Sequence, residues 1–110
     1  MSITIPRVAL YARFSSDNQR QESITFQLRI MHDYCKQQHW QVVATYADEA
    51  RSATTDNRPQ FQLMIADSSK KIFDTVLVMK LDRFSRNRID SAIYKQRLKK
   101  NNVVLRSVME

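Results

Sequence analysis

The stretch that decides the fold lies near the start of the chain and reads Val8-Ala9-Leu10-Tyr11-Ala12-Arg13-Phe14-Ser15-Ser16. It begins as a continuous apolar run, which is typical of a central strand buried on both faces of a parallel sheet. It ends abruptly in an arginine and two serines. Ligands of open α/β sheets bind beyond the carboxyl ends of the strands, so a serine hydroxyl here could attack or hold a phosphate. A strand that simply runs into a polar turn would look the same, and this stretch alone does not separate the two.

Outward from this stretch, strand-like and helix-like patterns alternate along the chain. Ser23 is placed to cap a helix, and apolar side chains recur at helical spacing over residues 24–35. Pro59 suits the first turn of a second helix, where its missing N–H costs nothing. The patterns predict strands at residues 7–13, 40–46, 73–79 and 103–107, with helices beginning near residues 24, 59 and 89. This alternation predicts an α/β fold with a mainly parallel sheet of four to five strands and helices on both faces.

Local patterns add finer expectations. Residues 47–57 are predicted to be a polar loop, and residues 68–71 the solvated end of the second helix. The side chains expected to face inward on the last helix are Ile89, Ala92, Ile93 and Leu98. The chain has no glycine, so turns that need a positive φ are expected at Asn57, Asn101 or Asn102.

Composition bounds the class of protein. The 110 residues allow one domain, and the formal net charge of +7 favours a polyanionic partner such as nucleic acid, although a solvated basic surface explains it equally well. The single cysteine, Cys35, fits a reducing cytoplasm. Neither a signal peptide nor a membrane-spanning run is evident. The absence of glycine excludes glycine-rich phosphate loops, so a phosphate site must be built from side chains, and arginine suits phosphate best.

Polar residues follow each of the first three predicted strands. Because the carboxyl ends of parallel strands share one edge, these residues are expected to converge there. They are Arg13, Ser15, Ser16, Gln19, Ser52, Arg58, Lys80, Asp82, Arg83 and Arg86. Arg83 or Arg86 could instead form a surface pair with Asp82, which would contribute little, and Ser52 could be only a turn residue. Several arginines from separate loops repel one another unless an anion such as phosphate neutralises them.

Three motifs, in order, resemble those of the serine site-specific recombinases, the resolvase–invertase and large serine integrase group. The first is Tyr11-Ala12-Arg13-Phe14-Ser15-Ser16 followed by Gln19. The second runs from Asp48-Glu49 through Ser52 to Arg58-Pro59 and Phe61, and is similar to that of the large integrase branch. The third is Lys80-Leu81-Asp82-Arg83-Phe84-Ser85-Arg86. The match covers nearly the whole chain, and the three motifs together are specific.

The resemblance implies a resolvase-like catalytic domain that exchanges strands of double-stranded DNA. It implies that Ser15 attacks the scissile phosphodiester, forms a 5′-phosphoserine link and frees a 3′-hydroxyl. The link conserves the energy of the phosphodiester, so no ATP is required. The positions that match phosphate-binding arginines are Arg13, Arg58, Arg83 and Arg86, with Lys80 as a further DNA contact. The supporting positions are Gln19, Ser52 and Asp82, and Tyr11 matches a structural position. Ser16 is the rival nucleophile by proximity.

The chain also departs from the family pattern. Ala50 and Ala53 stand where the second motif commonly has glycine, and either Asp48 or Glu49 could fill its acidic position. The family continues into a long dimerisation helix and DNA-binding domains. Residues 1–110 are therefore expected to be a single catalytic domain that lacks both, binds DNA weakly alone and does not recombine it. The complete protein is expected to act as a homodimer or tetramer.

Two other functions fit the same residues. A non-catalytic nucleic-acid-binding α/β domain would use the arginines only to hold backbone phosphate. A flavodoxin-like phosphate-ester hydrolase or ligand-binding domain is less favoured, because no glycine is available for backbone cradling of phosphate. Cys, His and carboxylate residues do not cluster at ligand spacing, so neither a metal nor a cofactor is expected.

Overall fold

The computed structural model describes residues 5–14, 23–49, 58–81, 84 and 88–109. Its regular elements, in chain order, are β1 (Arg7–Phe14), α1 (Ile24–Gln38), β2 (Gln41–Glu49), α2 (Pro59–Asp67), a 3₁₀ turn (Ser68–Lys70), β3 (Thr75–Val78), α3 (Arg88–Lys100) and β4 (Val104–Ser107). The four strands form one parallel sheet in the order β2-β1-β3-β4. The predicted α/β architecture is confirmed.

Helices cover both faces of this sheet. On one face, Met31 and Cys35 of α1 pack with Val8 and Leu10 of β1 and with Leu77 of β3. On the other face, a second buried cluster joins side chains of α2 and α3 to the alternate residues of the same strands, including Ala9, Tyr11, Val76 and Val78. In the sheet, β2 lies on one side of β1 and β3 lies on the other. The helix α1, which links β1 to β2, covers one face, and α2, which links β2 to β3, covers the opposite face.

β1 is one of the two inner strands of the sheet, as its apolar run predicts. Residues 8–12 are completely buried. Along its whole length β1 pairs with β2, from Arg7 with Gln41 to Phe14 with Glu49. Its pairing with β3 ends at Leu10, four residues before β1 itself ends. The end of β1 therefore extends past β3 toward the segment that begins with Ser15.

Among the residues that the structure describes, three adopt the left-handed conformation: His39, Lys71 and Asn102. The prediction for Asn102 is confirmed, Asn57 lies outside the described residues, and Asn101 does not have a positive φ. After α1, the backbone N–H of His39 donates to the carbonyl oxygen of Lys36, and that of Trp40 donates to the carbonyl oxygen of Cys35. At the end of α3, Asn102 and Val103 donate in the same way to the carbonyl oxygens of the helix. This is the Schellman arrangement, which satisfies the last carbonyls of a helix and normally recruits glycine.

Three of the finer expectations are wrong. Residues 47–49, expected in a loop, extend β2 to Glu49 because they continue to pair with β1. Ser68, expected in solvent, is buried: its hydroxyl donates to the carbonyl of Ile65 and accepts from Asn101 Nδ2 at 2.8 Å. On α3, Leu98 is buried as expected, but Ala92 and Ile93 are exposed. The inward residues four apart are Tyr94 and Leu98, which turns Ile93 toward solvent.

Among the described residues, no helix combines the length and apolar character that crossing a membrane requires.

Candidate active site

The strand order identifies where a ligand would bind. Neighbouring strands β1 and β3 continue to opposite sides of the sheet, β1 toward β2 and β3 toward β4. A crevice forms at the carboxyl ends of strands at such a reversal, and ligands of α/β sheets bind there. Ser15 follows β1 directly in sequence, and the third motif begins two residues after β3. The first and third motifs therefore leave the sheet on either side of the reversal.

At this edge, Asp48 is the centre of a buried hydrogen-bond network. Its Oδ2 accepts from the hydroxyl of Tyr11 and from the backbone N–H of Phe61, both at 2.9 Å. Its Oδ1 accepts from the backbone N–H of Gln60 at 3.0 Å. Only 5% of Asp48 is exposed. One carboxylate thus joins the ends of β1 and β2 to the start of α2.

Asp48 caps α2 from a distant part of the chain. The residue at the N-cap position, Arg58, makes no side-chain cap hydrogen bond, and Pro59 at the first helical position has no N–H. The next two backbone N–H groups of the helix, which have no partner within it, point to the carboxylate instead. The positive end of the helix dipole favours a negative charge at this place. The carboxylate therefore fixes where α2, and with it Arg58, begins.

The Tyr11 hydroxyl lies in the field of several charges. Burial raises its pKa, and the neighbouring Asp48 carboxylate raises it further. The guanidinium groups of Arg58 and Arg13 act in the opposite direction with smaller effects. Both arginines are thus close enough to influence the same buried hydroxyl, although they come from different elements. Arg13 also pairs in register with Asp48 across β1 and β2.

Arg58 connects the start of α2 to the segment after β3. It is 5% exposed, and its Nη1 donates to the carbonyl oxygen of Phe84 at 2.9 Å. Its guanidinium carbon lies 4.2 Å from the centre of the Phe61 ring, within cation–π range. The Phe61 ring packs edge to face against Phe84 at 5.2 Å and against Tyr11 at 5.3 Å. Residues of all three motifs therefore meet in one buried contact.

Gln27 supports the end of β1 from the opposite face of the sheet. It is completely buried on α1, and its Nε2 donates to the carbonyl oxygen of Arg13 at 3.1 Å. This contact falls in the part of β1 that extends past β3. No motif in the sequence singles out Gln27. A polar residue one position from the apolar stripe of a helix was the available signal.

The structure brings together two of the predicted site residues. Arg13 is partly buried at the end of β1, and Arg58 is buried at the start of α2. Lys80 is exposed two residues after β3. Of the two acidic candidates, Asp48 makes the contacts given above. The remaining predicted residues lie outside the described part of the chain: Ser15, Ser16, Gln19, Ser52, Asp82, Arg83 and Arg86. Within the part that is described, no three His, Cys, Asp or Glu residues are grouped as metal ligands.

Comparison with known proteins identifies the class. The family "Resolvase, N terminal domain" matches residues 8–110. The chain belongs to this family. The solved structures that it matches include catalytic domains of serine recombinases. Membership in a recombinase family implies that the substrate is DNA.

Several solved structures resemble this chain over most of its length. The chain is similar to the N-terminal catalytic domain of TP901-1 integrase, with 38% identity and a TM-score of 0.82 over 94% of this chain and 77% of that one. It is also similar to a resolvase family site-specific recombinase from Streptococcus pneumoniae, with 31% identity and a TM-score of 0.82 over 96% and 73% of the two chains. The catalytic domain of ISC1926 TnpA, an IS607-like serine recombinase, shares the fold at 23% identity and a TM-score of 0.78 over 94% and 70% of the two chains. A search of curated proteins gave no significant match.

Proposed function

We propose that this chain is the catalytic core of a serine site-specific DNA recombinase in which Ser15 is the nucleophile. Its hydroxyl oxygen attacks the scissile phosphorus, and the bond from phosphorus to the 3′ oxygen breaks. The products are a 5′-phosphoserine link and a 3′-hydroxyl, which takes up one proton as Ser15 loses one. In the second step a 3′-hydroxyl attacks the phosphoserine, and Ser15 recovers its proton. One phosphoester bond forms for each one broken, so the cycle needs no ATP.

The observation that carries the proposal is the convergence of Arg13 and Arg58 on the buried Tyr11–Asp48 pair. The two guanidinium groups come from β1 and from the start of α2, at the sheet edge from which Ser15 continues. Phosphoryl transfer depends on positive groups positioned around the transferred phosphoryl oxygens. Two arginines beside one buried network, with Arg58 bound to Phe84 and Arg13 in register with Asp48, support this requirement.

The other roles rest on the family resemblance. Arg83 and Arg86 are proposed to bind the same phosphate, and Lys80 to contact the neighbouring DNA backbone. Gln19, Ser52 and Asp82 are proposed to orient the arginines or the nucleophile. Asp48, rather than Glu49, is proposed to fill the acidic position of the second motif, because its carboxylate holds α2 and the Tyr11 hydroxyl. We further propose that exchange takes place between synapsed dimers in the cytoplasm, where the DNA lies.

Covalent capture on suicide DNA substrates tests the nucleophile. The protein translated from the complete reading frame is incubated with nicked cognate DNA, and the covalent adduct is separated on a denaturing gel. Ser15→Ala should abolish the adduct, and Ser16→Ala, the matched control, should retain it. Undiminished capture in Ser15→Ala would remove Ser15 from the proposal. Tight binding without any adduct in the unmodified protein would favour a DNA-binding domain without catalysis.

A further inference from the structure

The outward side of α3 carries a concentrated positive charge. Lys95, Lys99 and Lys100 line one concave surface together with Ala92 and Gln96. These five positions follow the spacing i, i+3, i+4, i+7 and i+8, so they share one side of the helix. All five residues are exposed. We call this surface the lysine face of α3.

The positive charge around the lysine face is only partly offset nearby in sequence, by Asp90 and Glu110, which flank residues 91–109. Residues 91–109 contain five Lys or Arg residues and no Asp or Glu, so they hold +5 of the chain's net charge of +7. Lys95 and Lys99 are also one helical turn apart, and like charges at that spacing destabilise a helix. The sequence therefore retains a cationic surface at some cost to helix stability.

The helix dipole explains only part of this distribution. The negative pole of α3 favours the cations in its last turn, which include Lys99 and Lys100. Lys95 lies before that turn, and the positions one turn away from it are Ser91, Ala92, Leu98 and Lys99. None of these can pair with it. By contrast, Lys70 on the 3₁₀ turn is bound to Asp67 at 3.1 Å.

We propose that the lysine face of α3 binds the phosphate backbone of duplex DNA next to the segment held at the active site. Lysine is a flexible point charge with three donors, which suits phosphate contacts that carry no sequence information. Lys95 and Lys99 are separated by about 6 Å along the helix, so they can reach successive parts of one backbone. α3 begins just after the third motif and runs about 18 Å away from it. DNA that leaves the active site along α3 would meet the lysine face.

The inference rests on the proposed function only for its substrate, because contact with backbone phosphate needs no nucleophile. The test compares two triple variants of the chain, each also carrying Ser15→Ala. One is Lys95→Gln, Lys99→Gln and Lys100→Gln. The control, Arg29→Gln, Lys36→Gln and Lys71→Gln, removes three exposed cations elsewhere, including Lys36 in the last turn of α1. Both variants lower the net charge from +7 to +4. Circular dichroism and urea unfolding verify that both fold.

The measurement is the salt dependence of binding to a short DNA duplex, because each phosphate contact adds about 0.9 to the slope of log affinity against log salt concentration. The lysine-face variant should lose about 2–3 from this slope, and the control should lose less than about 1. Equal losses would mean that net charge alone acts and would overturn the proposal, as would no loss in either variant. A slope difference together with covalent capture that does not depend on Ser15 would uphold the lysine face and reject the nucleophile.

Discussion

The sharpest prediction concerns Asp48→Asn, which keeps the shape of the side chain and removes its charge. The carboxylate accepts three hydrogen bonds, two from the start of α2 and one from Tyr11. An asparagine has one acceptor oxygen and one NH₂ group. In either orientation, the NH₂ group faces the backbone N–H of Gln60 or of Phe61. One buried donor is then left opposite another donor.

The expected cost follows from these contacts. A hydrogen bond to a charged group contributes roughly 1.5–3 kcal/mol, and a buried N–H without an acceptor costs roughly 1–3 kcal/mol. The two costs overlap, because the lost hydrogen bond and the unsatisfied N–H belong to the same contact. Asp48→Asn should therefore lower the free energy of unfolding by about 2–4 kcal/mol. Domains of this size have stabilities of about 5–15 kcal/mol, so the loss is a large fraction of the total.

Urea unfolding measures the effect, with Tyr11→Phe as the matched control. The control removes one donor and leaves both α2 contacts, so it should cost less, about 1–2 kcal/mol. In the double variant, the cost of Tyr11→Phe should shrink by about 1 kcal/mol, because the two groups share a contact. With a urea dependence of about 1–3 kcal/mol per molar, the midpoint of Asp48→Asn should fall by about 1–2 M. A change below about 0.5 kcal/mol, the range of ordinary surface substitutions, would refute this account of Asp48.

Three further predictions concern single groups. A hydrogen bond from the Tyr46 hydroxyl lowers the pKa of Asp67. The stability that the ionised Asp67 contributes is therefore present above about pH 4 and is lost as the pH falls through this lowered pKa. Asp67→Asn should flatten the fall of the urea midpoint below pH 4, and an unchanged acid profile would contradict the pairing. Gln27→Leu, which removes the donor to the Arg13 carbonyl, should slow covalent capture at saturating DNA by about tenfold to a hundredfold with affinity unchanged, and a normal rate would reject a positioning role. Burial raises the pKa of the Cys35 thiol, so iodoacetamide should label it slowly until urea unfolds the chain, and rapid labelling without urea would contradict its burial.

Local patterns predicted most of the fold because each depends on neighbours in sequence. The apolar run of β1, the cap at Ser23 and the proline that opens α2 all lie where the patterns place them. The expectation that failed on α3 depended on tertiary contacts. Ile93 has the right residue type for a core, but Tyr94 reaches Phe61 and Gln62 and sets the rotation of the helix.

The candidate site was predictable as a set of motifs and not as a network. The motifs indicated that Arg13 and Arg58 lie together. Arg13 ends the first predicted strand, and Arg58 follows the polar loop after the second. The link between Asp48 and the backbone of Gln60 joins residues 12 apart, and the link to Tyr11 joins residues 37 apart. No sequence periodicity encodes such contacts. The register of β1 with β2 brings the carboxylate to Tyr11, because Asp48 pairs with Arg13, two residues from Tyr11. The contact with Gln60 depends on how α2 packs against β2.

The protonation state of Tyr11 bears on which group could activate Ser15, the proposed nucleophile. Burial and the Asp48 carboxylate raise the pKa of the hydroxyl above its ordinary value near 10, and the opposing effects of Arg58 and Arg13 are smaller. Tyr11 therefore keeps its proton near neutral pH, and that proton is donated to Asp48. A protonated phenol cannot accept a proton from Ser15, so we propose that Tyr11 has a structural role rather than that of a general base. The same arginines favour an anionic oxygen nearby, so under the proposed mechanism this buried network would contribute electrostatic stabilisation of the Ser15 oxygen.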